Sequence, residues 1–381
     1  MAENVKTLLV IGNGFDLAHG LKTRYTDFLK FFNEKIGTVS LSEQLSDIDI
    51  AGMKDFLEYI NASIEANDDN ALYKNLQLYN GTPFGNFWIA YFNKILEDRH
   101  NRIGEGWVDF EREIERVIGQ LEKLLLNSSD FHKKKSILKE IMGDYFEKSP
   151  EIITQEFVSK LNWDLKILIL LLEFYLVKKE KNLKANHNEF FKNVKPDAVI
   201  SYNYTHTFQK LYDLDEKIPV HFIHGELGKH NLVLGTGETL SDDEKNNFTV
   251  CASFKKFFQR VKHRLGNHYR KNITQVEDKF VFWQVVIYGH SLDSTDQDSL
   301  SWLMKNWKKN GTIDRSQPIK RIFIHYHDEN SYNQQIANAI QIVGKDELID
   351  STSSGRIVFL PMNELRRLSK NYKRGELWNI S

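Results

Sequence analysis

The first strong pattern along the chain is the four-residue apolar run Leu8–Ile11. Lys6 and Thr7 precede it, and Gly12-Asn13-Gly14 cut it off. A short run of leucine and β-branched residues with no polar alternation predicts a strand buried on both faces, the mark of a parallel central strand. Residues 26–32 then read as helical, with Phe28, Leu29 and Phe32 on one side. From 37 to 187 no buried strand is evident. Helical patterns cover 57–67, 87–99, 107–126, 133–146 and 149–181, the last beginning with Ser149-Pro150, an N-cap followed by proline. Strand patterns return at Asp197–Asn203, His221–Gly225, Leu232–Gly237, Trp283–Ser291, Lys320–His327 and Arg356–Pro361. Helical stretches follow at 296–307 and 331–344.

Strands alternating with helices predict an α/β protein with a Rossmann-like, doubly wound, mainly parallel sheet. The core would comprise residues 1–36 and 188–381, with 37–187 as a large helical insertion.

In such a sheet, ligands bind beyond the carboxyl ends of the strands. The predicted ends carry Gly12–Asp16, Ser201–Thr205, His224-Gly225, Gly235-Thr236-Gly237 and Gly289-His290-Ser291, with Asp293 and Asp296 close behind. Gly12 and Gly14 would permit positive φ and close backbone approach, so that N–H groups of the turn could cradle a phosphate. The dinucleotide fingerprint is incomplete, because Leu17 stands where its third glycine belongs. A Gly-Lys-Ser/Thr phosphate loop is absent.

Composition narrows the function classes only a little. A net charge of −1 gives no bulk attraction to nucleic acid or membrane. The single Cys251 excludes an internal disulfide and suits a cytoplasmic location. The N-terminal run is too short for a secretory signal. The most apolar segment, Leu165–Val177, is shorter than a membrane span and carries Lys166 and Glu173, so it reads as a core helix with no membrane role. Residues 245–276 contain no acid, and the phenylalanines and basic residues of 254–271 predict an amphipathic basic helix. That helix is a surface element or a contact for nucleic acid. Asp109 and Glu111 suit a helix start, with a carboxylate reaching the cleft as the alternative. His325, His327 and Glu329, or His221, His224 and His230, invite a metal reading, but the other elements of a metal-binding motif are missing and no metal is expected.

The segment Leu8–Phe32 resembles the N-terminal signature of the AbiH family, bacterial abortive-infection proteins of anti-phage defence. The resemblance continues in order through Trp107–Glu111, Ser201–Thr205, Ile223–Gly225 and Ile287–Asp296. More distantly, the order Gly-x-Gly, Asn-Tyr, His-Gly and Gly-x-Ser-x-x-x-x-Asp is similar to SIR2-like domains. Phe15-Asp16 and Thr205 depart from their usual motifs. That similarity implies NAD as substrate or ligand, with hydrolysis to ADP-ribose and nicotinamide. Asn203 and His224 would be the catalytic pair. The phosphate loop would be Gly12, Asn13, Gly14, Phe15 and Asp16, and the late ribose or adenosine segment Ser291 and Asp296. Tyr204, Gly225 and Gly289 complete the expected nucleotide site. Glycosidic cleavage builds positive charge on the ribose, which Asp16 could stabilise. Asn203 would hold water or a ribose hydroxyl, and His224 would take the proton. The alternative is a non-catalytic nucleotide sensor contacting a phage component or nucleic acid through 254–271. A phage-derived trigger belongs to either reading, and a homo-oligomer is left open.

Overall fold

The computed structural model describes residues 4–36, 58, 62–63, 66, 86–103, 109–126, 155–184, 187–188, 191, 194–237, 251–274, 281–305, 308–309, 312–313 and 318–362. Six strands form one sheet: β1 Asn4–Ile11, β2 Ala198–Ser201, β3 Val220–Phe222, β4 Val281–Tyr288, β5 Ile319–Tyr326 and β6 Ile357–Pro361. All neighbours are parallel, in the order β3-β2-β1-β4-β5-β6. This is the strand order of a Rossmann-like sheet. The chain winds outward on one side of β1, then returns to build the other side from β4, so the switch point lies between β1 and β4.

The apolar run at Leu8–Ile11 is buried on both faces, as its lack of alternation predicts. Leu8 and Val10 pack with Ile200, Val285, Ile287 and Ile324 against helices α9 (Gln297–Met304) and α10 (Glu329–Val343). Leu9 and Ile11 face the other way, onto Phe15, Phe191 and Phe208.

A separate apolar cluster is built from helices that lie between β1 and β2 in the chain and from loop residues after β3. Helices α3 (Phe87–Ile103), α4 (Phe110–Leu126) and α5 (Gln155–Lys181) pack with α2 (Tyr25–Ile36) and with Leu232, Leu234, Cys251 and Phe254. In α4, Phe110, Ile114, Val117, Ile118 and Leu121 form the buried stripe, at helical spacing. Asp109 Oδ1 accepts the N–H groups of Glu111 and Arg112, two donors that the start of α4 leaves free. The apolar segment of α5 is a core helix. Its buried Lys160 and Asp164 pair at 2.8 Å, and Asp164 also accepts the Phe87 N–H at the start of α3. Among the described residues no helix is long and apolar enough to cross a membrane.

Two predicted elements differ. Leu232–Gly237 is not a strand. It is a buried segment with one isolated bridge, Thr236 to Lys255, and among the described residues no strand pairs with it. The basic stretch is not one helix either. It divides into a turn at Ala252–Phe254, α7 (Lys256–Lys262) and α8 (His268–Thr274), with Arg264 at φ 57° between them. Lys256 and Arg260 are buried, so the continuous basic face is lost. The helices predicted at 133–146 and over most of 57–67 lie outside the described residues.

Candidate functional site

A cavity of about 330 Å³ opens over the carboxyl ends of β1, β2 and β4, roofed by α2, α4 and α5. Its floor is the switch point. Gly12 donates to the Tyr288 carbonyl at 3.0 Å, and Gly14 to the Gly289 carbonyl at 2.8 Å. A Cβ on Gly12 would stand 2.7 Å from the Gly289 oxygen, and one on Gly14 would stand 2.6 Å from the Gly289 Cα. The glycines are therefore required for backbone approach. Positive φ is not their reason: Gly12 sits at φ −120°, and the left-handed residue of this contact is Gly289, at φ 66°.

The N–H groups expected to cradle a phosphate are in part taken by the protein. The N–H groups of Gly12, Gly14 and Phe15 are all engaged by protein carbonyls, Phe15 by Gly12 at 2.8 Å. Phe15 turns into the core among His19, Phe191, Tyr212 and Tyr288 and does not line the cavity. One residue along the short helix α1 (Asn13–Ala18), Asp16 does line it. Asp16 Oδ2 accepts from Thr205 Oγ1 at 2.7 Å, while the buried Oδ1 has no protein partner. Burial pushes this carboxyl up to about 6. Asn13 lines the rim, where its Oδ1 accepts from Thr23.

Asn203 and His224 reach the same cavity from the ends of adjacent strands β2 and β3. Asn203 Nδ2 donates to the Gly12 carbonyl at 3.0 Å and so ties β2 to the glycine turn. His224 Nε2 lies 2.9 Å from Asp296 Oδ1, and its buried Nδ1 has no protein partner. Burial, with Lys256 nearby, lowers His224 to about 4 and keeps the ring neutral at pH 7. Tyr204, Gly289 and Ser291 also line the cavity. Gly225 does not: at φ 89° it packs against the Asn231 carbonyl, where a Cβ would sit 2.2 Å from that oxygen.

Asp296 is the centre of a buried charge cluster. Lys256 Nζ donates to Asp296 Oδ1 at 2.8 Å, to Glu111 Oε2 at 2.7 Å and to Thr295 Oγ1 at 3.1 Å. His290 Nε2 stands 3.4 Å from Asp296 Oδ2. Burial alone would raise the Asp296 pKa, but Lys256 and His224 outweigh it and hold the carboxyl well below its ordinary value. Burial likewise works against the Lys256 charge, yet Asp296 and Glu111 raise its pKa. One ammonium does not serve two carboxylates equally. Burial pushes Glu111 up to about 8 against the pull of Lys256, with Asp296 adding to the rise. Arg112 Nη2 meets Asp293 Oδ2 at 2.8 Å, joining α4 to the loop after β4.

The metal readings do not assemble. His325 is fully buried while His327 and Glu329 are exposed, and His230 pairs with Glu173 at 3.1 Å, away from the cavity. No metal-binding cluster occurs among the described residues.

The family model for bacteriophage abortive infection AbiH matches residues 8–314. The chain belongs to the AbiH family. Every residue that lines the cavity lies inside the matched region, whereas β5, β6 and α10 lie beyond it. A comparison with curated proteins finds no match.

At this AbiH-family site, Lys256 was read in the sequence only as part of the 254–271 basic helix, and His290 only as part of a ligand-facing strand end, with no individual role for either. Lys256 sits in a run that looks solvated, and only its burial reveals its role. His290 stands beside Gly289 and Ser291 at a strand end, and that position was the available signal. Chemically, the floor offers acceptors and carboxylates. Tyr25, Leu172, Leu176, Tyr202 and Tyr204 supply flat or apolar walls, and the exposed Arg24 is at the rim. Such a site suits hydroxyl groups and developing positive charge better than it suits phosphate.

Proposed function

We propose that this AbiH-family chain serves abortive infection by binding a nucleotide in the switch-point cavity and hydrolysing NAD to ADP-ribose and nicotinamide in the cytoplasm. The observation that carries the reading is the convergence of Asn203, His224 and Asp16 on one cavity. At about 330 Å³ the cavity is near the lower end of ligand pockets, which run from about 300 to 1,000 Å³. It suits the nicotinamide riboside half, with the phosphates toward Arg24 rather than on the glycine turn.

In this reading water attacks the ribose C1′. The electron pair of the broken C–N bond passes to the nicotinamide nitrogen, which leaves neutral. Asp16 stabilises positive charge that develops on the sugar. Asn203 orients the water or a ribose hydroxyl, and His224 accepts the proton lost by the water. The test is nicotinamide release from NAD by the purified chain, alongside Asn203→Ala and His224→Ala. Release by wild type, reduced about 100-fold or more in each variant, supports the mechanism. Equal release by all three removes these roles.

A second reading is a nucleotide sensor that binds without turnover. Its support is that Asp109, capping α4, and Glu111, in its first turn, both line the cavity wall, so ligand occupancy acts directly on the start of that helix. NAD binding by calorimetry without nicotinamide release would select it.

A further inference from the structure

His224 bonds the protein through one ring nitrogen, and that bond decides which nitrogen carries the proton. Asp296 is ionised and therefore offers only acceptors. Its Oδ1 lies 2.9 Å from His224 Nε2 and receives the Lys256 ammonium at 2.8 Å. A hydrogen bond at the first of these contacts requires Nε2–H. A neutral imidazole then has a bare lone pair on Nδ1. His290 reaches the same state by an independent route. Its Nδ1 accepts the Leu292 N–H at 2.9 Å, so its proton sits on Nε2, which points to Asp296 Oδ2 at 3.4 Å. Three donors thus converge on one carboxylate, and Tyr202 lies edge-on to both imidazoles, with centroids 5.5 Å and 4.2 Å away.

We propose that Asp296 is a positioning residue: it holds His224 in the Nε2–H tautomer and leaves Nδ1 as a hydrogen-bond acceptor for a hydroxyl group or water entering the cavity. The sequence reading gave Asp296 to ribose or adenosine binding, whereas here its oxygens are engaged by the protein. Lys256 keeps the carboxylate ionised, and Glu111 of α4 shares that lysine, so the inserted region is wired to the orientation of the imidazole. The inference deepens the proposed reaction and rests on it for the use made of Nδ1.

The test reads the tautomer directly. The full chain is labelled with 15N-histidine, and two-bond proton–nitrogen spectra are recorded at pH 7 without nucleotide. His224→Gln assigns the signals. The expected wild-type signature is a protonated Nε2 and an unprotonated Nδ1. Asp296→Asn keeps an acceptor oxygen and retains the signature. The double variant Asp296→Leu/Lys256→Met removes acceptor and ammonium together, and its His224 becomes a mixture of tautomers. A wild-type Nδ1–H tautomer, a wild-type imidazolium, or an unchanged spectrum in the double variant overturns the proposal. Once His224→Gln has assigned the signals, the wild-type spectrum decides even where the Asp296 variants do not fold. Because no nucleotide is present, absence of NAD turnover would count against the proposed reaction alone.

Discussion

Replacing Glu111 with glutamine should flatten a pH dependence of stability that the wild-type fold carries. Glu111 is raised from 4.5 to about 8 in the folded state, chiefly by burial. Between those values the folded chain holds a proton that the unfolded chain has released. The stability linked to that proton is complete below about pH 4.5 and is lost as pH rises through about 8. In the middle of the window the slope is about 1.4 kcal/mol per pH unit, so moving from pH 6 to pH 7.5 should cost about 2 kcal/mol from this site. His224, lowered from 6.5 to about 4, acts in the opposite sense below about pH 6.5, and the raised His206 acts in the same sense as Glu111 above it, so the effect is read as the difference between two proteins that share both histidines. Glutamine keeps the shape and an acceptor for Lys256 but has no proton to lose. The assay is urea denaturation of both proteins at half-unit steps across the window. The wild-type midpoint should fall with pH while that of Glu111→Gln falls less. Parallel curves would refute the assignment of a raised pKa to Glu111.

Gly14→Ala should destabilise the chain by about 1–3 kcal/mol, measured by the same denaturation. The helical preference for alanine returns at most about 1 kcal/mol, while the new Cβ meets the Gly289 backbone at 2.6 Å. His206 is raised by its hydrogen bond to Glu180, with further pull from Glu226, whose Oε1 is 3.1 Å from Nε2. Its stabilisation is present below its unfolded value of 6.5 and lost as pH rises through the higher folded value. His206→Gln should therefore lower the melting temperature more at pH 5.5 than at pH 8.5, and a loss that does not change with pH would count against this.

The parts of the fold legible in the sequence were those with local signals. Leu8–Ile11 announces itself by four unbroken apolar residues, and Gly12 and Gly14 mark where the strand stops. The alternation of strands and helices after residue 197 was enough to expect the parallel sheet. Leu232–Gly237 shows the limit of that method. Its apolar residues are buried as expected, but a strand needs a neighbour, and the neighbour is a property of the whole fold. Phe15 and Asp16 show another. Both were assigned to the ligand as parts of one loop resembling a phosphate loop, yet a single residue step of about 100° around the helix sends the first to the core and the second to the cavity. Lys256 was the least legible. Its partners Glu111 and Asp296 are distant in sequence, and a lysine among lysines gives no sign of being buried.

The strand order also sets the sequence of events in folding. β1 leaves the ribosome early, but it pairs with β2 at residues 198–201 and with β4 at residues 281–288. Its closing partner is thus translated some 270 residues later. Both edges of β1 wait until β2 is made, and the β4 edge stays open for some 80 residues more, while the helices between β1 and β2 gather their own nearby contacts. Docking across so long a loop is slow, and an exposed apolar strand invites association with other chains. Production of this protein should accordingly be limited by the late arrival of β4, and chaperone supply during synthesis should raise the soluble yield more than any gain in final stability.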